Sequence, residues 1–144
     1  MKNTMKKAMS FLLVVMLFAS VLLLPGCKNE KLVIKDSDTY IVIKTTRDSV
    51  GDGDMLLIDY MSQLKEKGEL EFTISDGMIN SINGIENPAD YSSCWMLYTS
   101  DEENANAAWG TIEYDGKEYG SAVAGAETLK IKADQLYIWV YKSF

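Results

Sequence analysis

Apolar positions along this chain change period several times, and each change predicts an element. "DTYIVIKTT", Asp38 to Thr46, is dense in β-branched residues and predicts a strand. "RDSVGDGD" interrupts it with two glycines and predicts a turn. In "MLLIDYMSQLKEKG", Leu57, Tyr60, Met61 and Leu64 fall at i, i+3, i+4 and i+7, the spacing of one helix face. Asp52 or Asp54 is placed to cap the start of this helix. Lys65 and Lys67 suit the dipole at its end, and Gly68 supplies a left-handed stop.

"ELEFTI" then alternates, with Leu70, Phe72 and Ile74 on one side and Glu69, Glu71 and Thr73 on the other. "SDG" turns the chain, and "MINSING" returns as a partner strand, a hairpin. "ENPADYSS" reads as a loop and "CWMLYT" as a strand, with the acidic "SDEENANA" turning the chain after it. "IEYDGKEY" reads as two short strands about Asp115-Gly116. "GSAVAGAE" is a connection of small residues, which suits either an ordinary loop or close approach of a ligand to the backbone. "TLKIK" alternates, with Leu129 and Ile131 inward, and "QLYIWVYKSF" is the closing strand.

That last strand is apolar on both sides. Leu136, Ile138 and Val140 share one face, expected under the helix. Tyr137, Trp139 and Tyr141 share the other, which needs a loop, a second sheet or a ligand as cover. A run of strands with one helix predicts an α+β fold, a mixed or antiparallel sheet with the helix packed on one face. The helix depends on that sheet, because its apolar stripe has no other burial.

Ahead of these elements, Met1 to Lys7 carries Lys2, Lys6 and Lys7 and no acid, and Ala8 to Leu24 is almost wholly apolar. This is the layout of a secretory signal. The following Leu24-Pro25-Gly26-Cys27 resembles the bacterial lipobox, in which a peptidase cuts before the cysteine and a diacylglycerol is attached to its sulfur. The apolar stretch is borderline in length for a membrane span, but a spanning helix has no reason to end in Leu-x-Gly-Cys. The expected organisation is a lipoprotein signal peptide over 1–26, lipidated Cys27 and a charged tether over 27–37, and one domain over 38–144. The chain is then anchored by lipid to the cell membrane, on its extracytoplasmic side.

Charge and composition narrow the function. The chain has 14 Lys+Arg and 21 Asp+Glu, a net charge of −7, and loses three lysines with the signal to reach −10. That excludes a nucleic-acid partner, which needs a basic footprint. It also excludes a polybasic membrane-binding surface. With no histidine, His-based triads and His-ligated zinc are excluded. No G-x-S-x-G is present, and nothing points to a carboxylate pair across a cleft, so the expected domain is not an enzyme. If Cys27 is lipidated, Cys94 has no disulfide partner and reads as a buried, inert thiol.

Two sets of side chains remain as candidates. Asp101, Glu102 and Glu103, helped by Asn104 and Asn106, are either a solvated loop or a site for a divalent cation. Asp48, Asp52 and Asp54 form a second acidic group, but without the EF-hand spacing. Trp95, Tyr98, Trp109, Tyr137, Trp139 and Tyr141 are either core or a platform for a flat ligand. Trp95 fits the core better; Trp109 and the Tyr137–Trp139–Tyr141 face suit either role.

The order of elements resembles a known family. A helix with "LLIDYM" after a Gly-rich turn, then "GMINSINGIEN", "CWMLYT" and a closing "LYIWVY", is similar to a bacterial domain family of unknown function. That family is related to the C-terminal domain of the cobalamin carriers transcobalamin and intrinsic factor, and the likeness spans about 38–144. The resemblance implies a β-grasp-like fold in an exported lipoprotein and a non-catalytic module for a soluble small-molecule ligand, with a corrinoid such as cobalamin as the candidate. Under it, Tyr98, Trp109, Tyr137, Trp139 and Tyr141 are the ligand-binding candidates. A divalent-cation protein, or an adaptor for a membrane transporter, are the other readings.

The anchor is directly testable. Expressed in a bacterium, the chain recovered from membranes should have lost residues 1–26 and gained a diacylglycerol on Cys27, read by mass spectrometry. Cys27→Ala should abolish both changes. A membrane-bound chain of unprocessed mass would instead make the apolar stretch a retained anchor.

Overall fold

Alternating segments of the chain fold into two antiparallel sheets with a helix against one of them. The computed structural model describes residues 30–51 and 53–144. The signal, Cys27 and Asp52 therefore lie outside the described residues, and Lys31–Phe144 forms one unit. The strands are β1 (Val33–Ser37), β2 (Tyr40–Lys44), β3 (Phe72–Ser75), β4 (Met78–Ile82), β5 (Ile85–Glu86), β6 (Ser93–Thr99), β7 (Ala105–Tyr114), β8 (Lys117–Ala122) and β9 (Leu136–Ser143). Six of them form a sheet in the order β1-β2-β9-β6-β8-β7, and β3-β4-β5 form a smaller one. Among the described residues two helices, α1 (Arg47–Val50) and α2 (Leu57–Glu66), complete an α+β fold.

Asp76-Gly77 and Asp115-Gly116 make the tight turns they predict, but "MINSING" does not run through as one strand. Asn83 and Gly84, at φ 48° and 86°, join β4 to β5 with Ile82 opposite Ile85. Positive φ at both central positions matches the right-handed twist of the flanking strands. Helix α2 runs as its periodicity predicts, with Leu57, Tyr60, Met61 and Leu64 fully buried. Its end is a Schellman motif. The Gly68 N–H bonds the Lys65 carbonyl and the Glu69 N–H bonds the Leu64 carbonyl, with Gly68 at φ 72°.

The helix start differs from expectation. Leu56 is the N-cap residue and gives no side-chain cap. The N–H groups of Leu57 and Ile58 are instead taken by the backbone carbonyls of Leu129 and Ala126, each at 2.9 Å. Asp54 is thereby free to pair with Lys130 at 2.8 Å. "TLKIK" is not a strand but a strap, held to the chain before α2 by a bridge between Leu56 and Lys130.

Other segments differ for physical reasons too. The expected tether contains β1, an edge strand with Val33 opposite Ile43 and Ile34 opposite Val42. Its two apolar residues suffice to cover the edge of β2, while the charged ones face water. "RDSVGDGD" contains α1, one turn closed by a capping box between Thr46 and Ser49. The acidic turn is a 3₁₀ turn over Glu102–Asn104, and β7 begins directly after it.

The two faces of β9 are reversed from expectation. Its aromatic face lies under α2: Tyr137 and Trp139 pack with Trp95 and Leu97 of β6, Ile41 and Ile43 of β2, and the buried stripe of the helix. Phe72, Ile79 and Ile82 of the small sheet close this core. The aliphatic face packs against a tyrosine layer, with Val42, Tyr98 and Ile138 buried beside Tyr40, Tyr114 and Tyr119. The sheet curls so that Tyr40 and Tyr114, from well-separated strands, stack at 6.0 Å. The aromatic face goes inward because its rings fill the wide space to the helix, and its two tyrosine hydroxyls find backbone partners there. Tyr137 Oη accepts the Lys132 N–H at 2.9 Å, and Tyr141 Oη donates to the Glu86 carbonyl at 2.9 Å.

Urea unfolding should rank two substitutions in this helix. Leu64→Ala should cost about 2–5 kcal/mol through the cavity it leaves. Gly68→Ala meets no neighbour within 4 Å and should cost only the left-handed strain, about 1–2 kcal/mol.

Candidate functional site

Strand β6 pairs with β9 along its whole length, but with β8 only at Tyr98 and Thr99. Beyond Ser121, β8 swings away towards the start of α2 and leaves a cleft of about 340 Å³ in the wedge. One wall is β6, with Cys94, Trp95, Met96 and Leu97. The opposite wall is Ser121 to Ala126, where no side chain exceeds valine. Gly77, Met78 and Ile79 of the β3–β4 hairpin close one end with Asn87 and Tyr91, and Trp139 also lines the cleft. Cys94 and Met96 belong to one face of β6, Trp95 and Leu97 to the other. The cleft is thus a gap in the sheet rather than a groove on one face.

Apolar surface dominates this cleft and part of it is exposed. Met78 is 51 % exposed, Tyr91 51 % and Val123 42 %, high values for residues lining an apolar cleft. Trp139 is buried, yet among the described residues its Nε1–H is the buried side-chain nitrogen or oxygen that lacks a hydrogen-bond partner. An unmade hydrogen bond of this kind costs about 1–3 kcal/mol. Asn87 ties the walls together. Its Nδ2 donates to the Ile79 carbonyl at 2.9 Å, and its Oδ1 accepts the Trp95 N–H at 3.1 Å.

The aromatic candidates are scattered. Of Tyr98, Trp109, Tyr137, Trp139 and Tyr141, only Trp139 lines the cleft. Tyr137 is fully buried under α2. Tyr98 is buried in the tyrosine layer, with Lys142 Nζ donating to its hydroxyl at 2.9 Å. Tyr141 packs tilted on Trp95 with ring centroids 5.4 Å apart. Trp109 is 62 % exposed on an arch, Ala107 to Gly110, that bulges out of β7 and has no partner on β8. Tyr91, Met78 and Asn87 were not legible as site residues. The small-residue run Gly120 to Ala126 was the one sequence signal of the cleft.

The acidic turn is organised around Asp101, which is 4 % exposed. Its carboxylate accepts from Lys132 Nζ at 2.9 Å, from Asn104 Nδ2 at 2.7 Å and from the Glu103 N–H at 3.3 Å. Glu103 also pairs with Lys132, while Glu102 makes no ion pair among the described residues. A cation would have to displace the Lys132 ammonium. Among the described residues, no group of three or more Cys, Asp or Glu side chains converges as a metal site. The Cys94 thiol is half-buried and donates to Met96 Sδ at 3.6 Å. Burial pushes its pKa up, which disfavours the reactive thiolate.

Comparison of the chain with protein-family models, with curated proteins and with solved structures finds no match. Among the described residues no helix is long and apolar enough to cross a membrane.

Asp101 sets a pH dependence. Burial alone would raise its pKa, but the hydrogen bonds from Lys132, Asn104 and Glu103 together hold it below the ordinary carboxylate range. A depressed carboxyl stabilises the fold above its unfolded pKa and loses that share as pH falls through its folded value. Asp101→Asn should therefore cost about 1–2 kcal/mol near neutral pH, the lower figure because water screens the half-exposed Lys132. The gap to wild type should close in strong acid, followed by chemical unfolding across pH. Trp109→Ala, at an exposed site, should shift stability by less than about 0.5 kcal/mol at any pH.

Proposed function

We propose that this chain is an exported, lipid-anchored, non-catalytic binding protein whose ligand enters the cleft between β6 and β8. The observation that carries this reading is an open, apolar cleft with exposed Met78, Tyr91 and Val123 and an unpartnered Trp139 N–H. Small-ligand sites combine these features, largely apolar walls and a few placed polar groups. The ligand offers an apolar body.

A β-grasp-like arrangement, one helix laid on a sheet, remains the finer description of the fold that we favour. A corrinoid is a poor fit to a cleft near the lower limit of ligand pockets, about 300–1,000 Å³. It would insert only an edge. A divalent cation at Asp101 and Glu103 is disfavoured by the ammonium already held there. A lipid on Cys27 would keep the domain beside membrane proteins, so that a transporter is a natural partner in handing over or receiving the ligand.

Nile red, a flat neutral dye with a carbonyl acceptor, tests the cleft when titrated into residues 31–144. Its fluorescence should rise saturably. Gly125→Phe projects a ring from the cleft wall, where an added Cβ meets nothing within 4 Å, and should weaken binding at least about tenfold. Binding unaffected by Gly125→Phe would remove the cleft from consideration.

A further inference from the structure

We propose that the ligand is an extended peptide segment of a partner protein, apolar at alternate positions and flanked by Lys or Arg, which adds to the open edge of β6. This deepens the reading of the cleft as a binding site and rests on it.

The edge comes first. On the side away from β9, β6 has no strand neighbour from Ser93 to Leu97. The Trp95 N–H points to that side, because Asn87 Oδ1 takes it there. Backbone groups alternate along a strand, so the Leu97 N–H points the same way. Asn87 therefore stands where a neighbouring strand would begin, and β8 rejoins at Tyr98. Between them the Trp95 carbonyl and the Leu97 N–H have no strand partner, and this gap opens into the cleft. Proteins normally cover or charge such an edge, and here it is lined by small and apolar residues instead.

A peptide supplies what this edge needs. Its amides pair with β6 while one apolar side chain enters the cleft and its neighbours point out. The low wall from Ser121 to Ala126 leaves room for a backbone to approach. The rim fixes the charge. Asp76, Glu86, Asp90 and Glu127 are exposed and adjoin cleft residues in sequence, while Lys142, across the sheet from Cys94, is held on the Tyr98 hydroxyl at 2.9 Å. The Glu127 carboxylate comes within 3.1 Å of where a Gly77 Cβ would stand, which places it by the cleft-lining hairpin. Such a rim selects a cationic flank and repels an acidic one. A second copy of this chain, net charge −7, is the wrong sign. A small organic cation answers the rim but leaves the β6 edge unpaired.

The test uses the full chain reconstituted in phosphatidylcholine discs, with empty discs as control. The probe is a rhodamine-labelled, end-capped peptide KVTVTVK, followed by anisotropy. Saturable binding is expected, at least about tenfold weaker for EVTVTVE and for the Gly125→Phe chain. Glu127→Gln should flatten the salt dependence. N-methylation of one alternate set of amides should abolish binding, and of the other set should spare it. If both N-methylated sets bind like the parent, no strand is added and the proposal is overturned. It also falls if wild type shows no saturable binding. If Nile red still binds in a Gly125→Phe-sensitive way, the cleft survives as a site for another ligand; if it does not, both readings fall. Self-association of the full chain that Gly125→Phe abolishes would assign the edge to a second copy and overturn the peptide.

Discussion

Two backbone carbonyls, those of Ala126 and Leu129, take the first free N–H groups of α2, and the architecture around the cleft depends on that attachment. A helix starts with N–H groups that have no partner within it, and Leu56 brings no side chain to help. The chain that leaves β8 must therefore travel to the helix. It cannot also remain paired along β6. The strap is fixed further by the Ile131 N–H on the Met55 carbonyl at 2.9 Å and by Lys130 on Asp54. Each buried N–H left unpaired would cost about 1–3 kcal/mol. The cleft is the geometric consequence.

The far end of the strap is held as firmly. Thr45 is buried at the end of β2, and its hydroxyl donates to the Lys132 carbonyl at 2.6 Å and accepts the Gln135 N–H at 3.0 Å. Lys132 then reaches back to Asp101 and Glu103. The acidic turn, the strap and the β2 edge are one polar assembly. This gives the cluster of acids a structural role, since its buried member already has an ammonium and an amide on its oxygens. The aromatics of β9 follow the same logic, with rings in the core and hydroxyls on backbone groups at its margin.

Much of this was legible and some was not. The i, i+3, i+4, i+7 spacing of Leu57, Tyr60, Met61 and Leu64 located the helix, and Asp76-Gly77 and Asp115-Gly116 located two turns, because both signals are local; Asn83-Gly84 was read as strand and is a third turn. Alternation in "QLYIWVYKSF" separated two apolar faces but carried no information on which faced the deeper layer. Val33 and Ile34 were hidden among charges, since an edge strand needs few apolar residues. The arch in β7 was invisible in "NANAAWG", because its cause lies elsewhere. At Gly120 a Cβ would stand 3.0 Å from the Ala107 nitrogen and 3.2 Å from the Asn106 carbonyl carbon. The cleft was least legible of all. Nothing in "CWMLYT" says which neighbouring strand departs.

The contrast between two glycines bears on whether the cleft is an accident of packing. Gly120 is required, because the arch of β7 presses on it. Gly125 is not: it has ordinary backbone geometry, and an added Cβ would meet nothing within 4 Å. A larger residue there would fill the gap and cover part of Met78, Tyr91 and Val123. A phenylalanine at Trp139 would remove the unpartnered N–H. The open space at Gly125 permits the first change without a clash at Cβ, and the chain does not make it. Departure of β8 explains why a gap opens between the strands, but it does not explain why the gap is left unfilled. An open, apolar cavity with an unmade hydrogen bond lowers the stability of the empty protein. A ligand that covered its apolar walls would recover part of that loss as affinity, and this is the physical basis of the proposed binding site.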